Sequence, residues 1–277
     1  MCRLFGLTAG QRRVRATFWL LDAPDSLQDQ SHSNPDGCGV AGFDATGRVE
    51  LNKAPVAAWD DADFASTSKS LTSSTFVAHV RHATTGARTY ENTHPFAEGN
   101  VAFAHNGAFA DLELVEEQLG DYRRVVHGDT DSERMFALIL KETGAHRGDM
   151  TGGITAATRW LADHVPVLSL NLVVVTPTDL WALRYPESND LFLLDRNPGG
   201  HHGDQQLHGV GQHGGVRVRS SDLRDQRAIV VASERIDENP KWQPLAPGEL
   251  IHVSHELEVE RSVIIDHSPR HPLTPSP

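Results

Sequence analysis

A cysteine stands second in the chain, within Met1-Cys2-Arg3-Leu4-Phe5-Gly6. Removal of Met1, a step that accepts small second residues such as cysteine, gives one residue both a thiol and a free α-amine. That pairing suits attack on a carbonyl carbon. The thiolate is the attacking form, so some base must take the thiol proton. An α-amine titrates near pH ~7.7–8.0, and its neutral form is available for this task directly or through one water. With Met1 retained there is no such amine, and Cys2 is an early strand residue. A second cysteine, Cys38, follows Asn34-Pro35-Asp36-Gly37. It reads as a small packed residue and not as a second nucleophile. A disulfide to Cys2 would block the thiol and is not expected.

Three other groups have side chains suited to a site. Arg81 lies in His79-Val80-Arg81-His82-Ala83-Thr84-Thr85-Gly86. Its guanidinium fork matches a carboxylate bidentately, although a lone arginine serves a surface ion pair equally well. Asn106-Gly107 offers a side-chain amide and a glycine N–H. The same dipeptide favours a type I′ hairpin turn, but residues 108–114 do not alternate like a returning strand. Asp131 lies in Gly128-Asp129-Thr130-Asp131-Ser132-Glu133. There Thr130-x-x-Glu133 is a capping box, and an aspartate in a first helical turn complements the macrodipole.

The elements around these residues mix strands and helices at the front and are mostly strands behind. Residues 2–8 read as a strand, and 16–30 as a helix broken at Pro24. Residues 40–44 and 49–53 form a hairpin, and 60–71 are weakly helical. Thr75–Arg81 alternates: Phe76, Ala78 and Val80 face one way, Val77, His79 and Arg81 the other. Residues 101–105 are a strand running into Asn106, and 111–119 a short helix. The helix opened by Thr130 places Phe136, Ile139, Leu140 and Thr143 at helical spacing. Residues 153–164 form another helix. Strands follow at 168–176, 179–185, 190–195, 206–210, 216–219, 227–232, 249–253 and 257–265. This order predicts an α+β fold with antiparallel sheets. A tail with four prolines, 267–277, is expected to be disordered.

Composition narrows the function classes. The chain has 277 residues, 39% hydrophobic and 22% charged, with a net charge of −12. That charge argues against nucleic acid and anionic membranes as partners. No apolar run approaches the ~18 residues of a membrane span. Two cysteines imply no disulfide framework and suit a reducing cytoplasm. Arg12, Arg13 and Arg15 before an apolar stretch faintly resemble a signal peptide, but that stretch ends at Asp22. His201, His202, His208 and His213 have no zinc-site spacing, and their glycine-rich surroundings read as a mobile hairpin loop. No phosphate loop or dinucleotide fingerprint occurs, so neither metal nor cofactor is expected.

Taken in order, Met-Cys-Arg-Leu-Phe-Gly, Asn-Pro-Asp-Gly-Cys-Gly, the segment around Arg81, His105-Asn106-Gly107 and residues 128–133 resemble the class II glutamine amidotransferases. These are amidohydrolases with an N-terminal nucleophile (Ntn). Within them the chain is most similar to stand-alone proteins that begin Met-Cys-Arg, a group that includes γ-glutamyl hydrolases of ergothioneine biosynthesis. The resemblance covers roughly residues 2–265 and is densest before 135. Trp242 and its surroundings also resemble that group, and Trp242 is read as packing.

The resemblance implies a four-layer αββα sandwich, the Ntn-hydrolase fold, over residues 1–266. It implies Cys2 as the nucleophile of a γ-glutamyl thioester, with its own amine as base and then acid. Asn106 and Gly107 would form the oxyanion pair. Arg81 would hold the substrate α-carboxylate, with Thr84 and His82 as further substrate-binding candidates, and Asp131 the α-ammonium. Asp36-Gly37 would lie nearby. Relatives often carry tryptophan where His82 and Cys38 stand here. The implied substrate is a γ-glutamyl amide with a free amino-acid end. It is either glutamine, with ammonia passed to a separate synthase, or a larger γ-glutamyl amide of a small metabolite, with residues 200–214 lining the cleft. A non-catalytic binding protein of the same fold is the remaining reading.

Overall fold

Strands apolar on both faces need a core on each side, and this chain supplies three cores stacked in series. The computed structural model describes residues 2–83, 86–198 and 226–274. Its strands are β1 (Arg3–Thr8), β2 (Gly37–Phe43), β3 (Val49–Ala54), β4 (Thr75–Arg81), β5 (Phe96–Glu98), β6 (Val101–Phe109) and β7 (Pro166–Val175). They continue as β8 (Leu180–Arg184), β9 (Phe192–Arg196), β10 (Ala228–Ala232), β11 (Gln243–Pro244), β12 (Glu249–Val253), β13 (Val259–Val263) and β14 (His271–Pro272). One sheet runs β11-β9-β10-β1-β4-β2-β3 and the other β13-β12-β8-β7-β6-β5. Neighbours along both paths pair antiparallel, for example β1 with β4 and β6 with β7.

The inner core lies between the sheets and contains Leu4, Val77, Ala104, Val173, Ile229 and Ile251. The far face of the first sheet buries Phe5, Val40, Phe76, Ala78 and Val80 against Trp19 and Phe64. Those two come from a π-helical turn, Phe18–Asp22, and from α2 (Ala62–Ser70); the short α1 (Leu27–Gln30) lies beside them. The far face of the second sheet buries Phe103, Leu172 and Val174 against α3 (Leu112–Leu119), α4 (Asp131–Ala145) and α5 (Met150–His164), through Val115, Phe136 and Ile154. The order is therefore helix, sheet, sheet, helix, the expected αββα sandwich.

Three expectations need correction. Residues 16–30 do not form a broken helix: a single π turn and the one-turn α1 replace it. The strand expected to end at 105 runs on to Phe109: β6 carries Asn106 and Gly107 straight on, opposite Asn171 and Leu170 of β7. Residues 267–274, expected in a disordered tail, lie along the fold. The Arg270 and Leu273 N–H groups donate to Ala162 and Val167 at 3.0 and 2.9 Å, and β14 pairs parallel with β7. Proline is tolerated in such an edge segment because its missing N–H faces away from the ladder. The expected strands at 206–210 and 216–219 and the histidine-rich loop lie outside the described residues.

On the inner face of β4, His79 lies against His94, ring centroids 4.2 Å apart and planes tilted by 34°, and both are buried. Burial, then His105 and Arg81, push the His79 imidazole from 6.5 down to about 3; burial also holds His94 well below its ordinary value. The unfolded chain therefore takes up protons below pH ~6.5 that the native fold refuses. Stability is complete above that pH and falls as pH drops through the window. Between pH 7 and 5 the loss is about 2 kcal/mol for His79 alone. Urea unfolding at these two pH values should show it, and His79→Gln should remove that share. An unchanged pH slope in the variant would refute the assignment.

Candidate active site

Cys2 directly precedes β1, whose register sets Arg3 opposite Val80 of β4. Residue 2 therefore falls beside the chain leaving Arg81. The Cys2 Sγ lies 3.2 Å from the His82 N–H, which donates to it, and 3.4 Å from the His82 carbonyl. From the other sheet, Asn106 Nδ2 donates to the Cys2 carbonyl at 2.9 Å. Both sheets thus hold residue 2, and one amide hydrogen of Asn106 remains for another acceptor. Burial pushes the Cys2 thiol up; the His82 N–H and the Arg81 guanidinium act against this rise, and Asp131 adds to it. That balance leaves a thiol in need of a base.

Arg81 ends β4 with a buried side chain. Its Nη1 donates to the Ala87 carbonyl at 3.1 Å and its Nη2 to the Gly86 carbonyl at 3.4 Å. Burial lowers its pKa, while Cys2, Asp36 and Asp131 pull it back up. Asp36 fixes the chain as it leaves β4: its carboxylate accepts from the Ala83 N–H at 2.7 Å and pairs with Arg88 at 2.5 Å.

Asp131 is the first residue of α4. The capping box forms in part: Thr130 accepts from the Glu133 N–H, but the Glu133 carboxylate reaches back to the Gly128 N–H. The Asp131 side chain instead looks toward β6. Its Oδ2 accepts from the Phe109 N–H at 3.0 Å, and its Oδ1 from the Ser132 N–H at 2.8 Å. The Phe109 N–H is free for this because β6 shifts register against β7 between Ala108 and Phe109. The strand irregularity and the helix start thus aim one carboxylate at one place.

Gly107 is required by close approach. A Cβ there would lie 1.9 Å from the Ser169 carbonyl oxygen of β7 and 2.6 Å from His105 Nε2.

The structure brings Cys2, Arg81, Asn106 and Asp131 together from four elements or their ends, with Gly107 next along β6. His82 contributes its main chain, and its side chain is exposed. Thr84 lies outside the described residues. Cys38 faces the outer core of the first sheet; burial and nearby Asp61 push its thiol up, consistent with an inert packed residue. Trp242 packs in that same core. Among the described residues no cluster of three or more His, Cys, Asp or Glu is arranged to hold a metal, and no helix is long and apolar enough to cross a membrane.

Sequence reasoning missed the supporting residues. Asn92, almost fully buried, donates to the Ala87 carbonyl at 3.1 Å and accepts from the Asp129 N–H at 2.8 Å. It ties the loop that holds Arg81 to the loop that leads into Asp131. His105, Ser132 and Ser169 form a second hydrogen-bonded group beneath Asp131. The available signal was a polar residue on an apolar face, His105 following Val101 and Phe103 in the alternation of β6.

Comparison with known proteins places nearly the whole chain in a family. The family model for class II glutamine amidotransferases matches residues 1–274. The Saccharomyces cerevisiae protein named Probable glutamine amidotransferase DUG3 is 25% identical over 317 aligned positions, covering 99% of this chain and 87% of that one. MJ1515 of Methanocaldococcus jannaschii, an uncharacterised protein, is 33% identical over 148 positions; the match covers 51% of this chain and only 39% of that protein. The solved glutamine phosphoribosylpyrophosphate amidotransferase from B. subtilis shares the fold, with a TM-score of 0.65 at 18% identity, covering 96% of this chain and 50% of that one. With the family match spanning nearly its whole length, this chain belongs to the class II glutamine amidotransferases.

Proposed function

We propose that this chain is a thiol amidohydrolase that cleaves γ-glutamyl amides through Cys2. Once Met1 is removed, the free amine takes the thiol proton and the sulfur attacks the γ-carbonyl carbon. Charge builds on the carbonyl oxygen, where the second Asn106 amide hydrogen and the Gly107 N–H act as donors. The amine returns the proton to the leaving nitrogen, and a γ-glutamyl thioester remains. Water, activated by the same amine, releases glutamate and restores the thiol. Arg81 and Asp131 hold the substrate α-carboxylate and α-ammonium. The observation that carries this reading is the seating of Cys2 between the sheets: its sulfur accepts from the His82 N–H next to Arg81, its carbonyl accepts from Asn106 of β6, and Asp131 accepts from the Phe109 N–H of that same strand.

The clamp implies specificity. A peptide bond made through the α-carboxylate removes the group that Arg81 recognises. The leaving group is ammonia if glutamine is the substrate, with a separate synthase as its receiver, or a larger amine if the chain serves a small metabolite. Glutamate release should therefore be followed with glutamine and with γ-glutamyl amides of increasing size, wild type beside Arg81→Lys. Lysine keeps the charge and loses the fork, so kcat/KM should fall roughly ten- to a hundredfold, carried mainly by KM. Unchanged KM in that variant, or equal turnover of α-carboxylate esters by the wild type, would rule out the clamp.

A further inference from the structure

Given the γ-glutamyl clamp proposed above, we propose that Ser132 and His105 are positioning residues that keep one lone pair of the Asp131 carboxylate open for the substrate α-ammonium. Proton counting carries this. The Ser169 carbonyl lies 3.1 Å from His105 Nε2 and has no proton to give, so Nε2 carries the imidazole hydrogen. His105 is buried, and burial drives it toward the neutral form against the pull of Asp131. Its Nδ1 is then a bare acceptor, 2.9 Å from Ser132 Oγ.

Ser132 has one hydroxyl hydrogen and two neighbours that want it. The second is Asp131 Oδ1, at 3.2 Å. Nδ1 is the nearer, and among the described residues no other donor reaches it. The hydroxyl hydrogen therefore goes to His105. With the hydroxyl turned to His105, Asp131 is held among the described residues by two backbone donors, the Ser132 N–H on Oδ1 and the Phe109 N–H on Oδ2. A carboxylate has about four lone-pair sites, so two remain for an ammonium. Without His105 the hydroxyl turns onto Oδ1 and occupies one of them. Without Ser132, Nδ1 is buried with no donor, and Asp131 draws a proton onto the imidazole, which then competes with the substrate as counter-ion. Gly107 underlies the arrangement, because a Cβ there would fill the place of the Ser169 carbonyl that fixes the tautomer.

The test compares L-glutamine with 4-carbamoylbutanoate, which is glutamine without its α-amine. Wild type should prefer glutamine in kcat/KM, and Asp131→Asn should erase the preference. Ser132→Ala and His105→Phe should each cut it about tenfold, through KM for glutamine, with little change on the des-amino substrate. Ser132→Thr, which keeps the hydroxyl, should restore it. Thermal melting of each variant separates this effect from misfolding, since a folding defect lowers both substrates together. A preference that survives intact in Ser132→Ala, or that Ser132→Thr fails to restore, overturns the relay and leaves the clamp standing. A wild type that turns over γ-glutamyl amides with no preference for the α-amine overturns both.

Discussion

Cys2→Ala abolishes glutamate release from every γ-glutamyl amide that the wild type cleaves, a fall expected to be on the order of 10⁴-fold or more. The size follows from the proposed step. Alanine removes the atom that bonds to the γ-carbon and leaves Asn106, Gly107, Arg81 and Asp131 to bind a substrate that nothing attacks. The fold should survive the change. Cys2 is only half buried, its sulfur contacts the His82 main chain, and it belongs to none of the three cores. Melting should therefore be near that of the parent and binding of glutamine retained. Protein that keeps Met1 should behave like the alanine variant, because its Cys2 nitrogen is an amide and cannot take a proton. Intact mass alongside activity across preparations tests this. Equal release by wild type and Cys2→Ala, or full activity in protein whose mass retains Met1, would remove the terminal thiol from the mechanism.

The residues that make this prediction possible were legible because each does two jobs visible in a linear sequence. Arg81 closes a strand whose alternation is strict from Thr75, so its side had to be that of Val77 and His79. Asp131 starts a helix announced by Thr130 and Glu133. Cys2 is marked by its position. What could not be read is set by contacts between distant strands. Asn106-Gly107 has the local preference of a turn, and pairing with Asn171 and Leu170 overrides it. The tail is proline-rich, yet three residues beyond Arg270 its main chain finds Val167. Asn92 has no periodic context; its role appears only once the Ala87 carbonyl and the Asp129 N–H are seen on either side of it. Ser132 lies in the first turn of α4, and its partner His105 comes from β6, a pairing that no local pattern announces.

Gly107→Ala should cost both rate and stability, less in rate than loss of the sulfur and for a different reason. The added Cβ would sit 1.9 Å from the Ser169 oxygen and 2.5 Å from its carbonyl carbon, main-chain atoms that cannot swing aside. β6 and β7 must part locally. Overpacking of this kind costs about 1–3 kcal/mol, and His105 Nε2, deprived of the Ser169 carbonyl, adds about 1–3 kcal/mol for a buried polar group left without a partner. The strand shift also moves the 107 N–H, and loss of one oxyanion donor alone lowers kcat about 10²- to 10³-fold. Asn106→Ala separates the two effects. It removes a donor and the tether to the Cys2 carbonyl while leaving the strand spacing intact. That variant should lose a similar factor in kcat yet melt closer to wild type, whereas Gly107→Ala should lose both rate and melting temperature. Measuring kcat and melting for the pair decides the matter. A Gly107→Ala protein with parental stability would mean that β6 and β7 lie farther apart than they do here. One with parental kcat would mean that the 107 N–H takes no part in holding the oxyanion, so that Asn106 and solvent carry that charge alone.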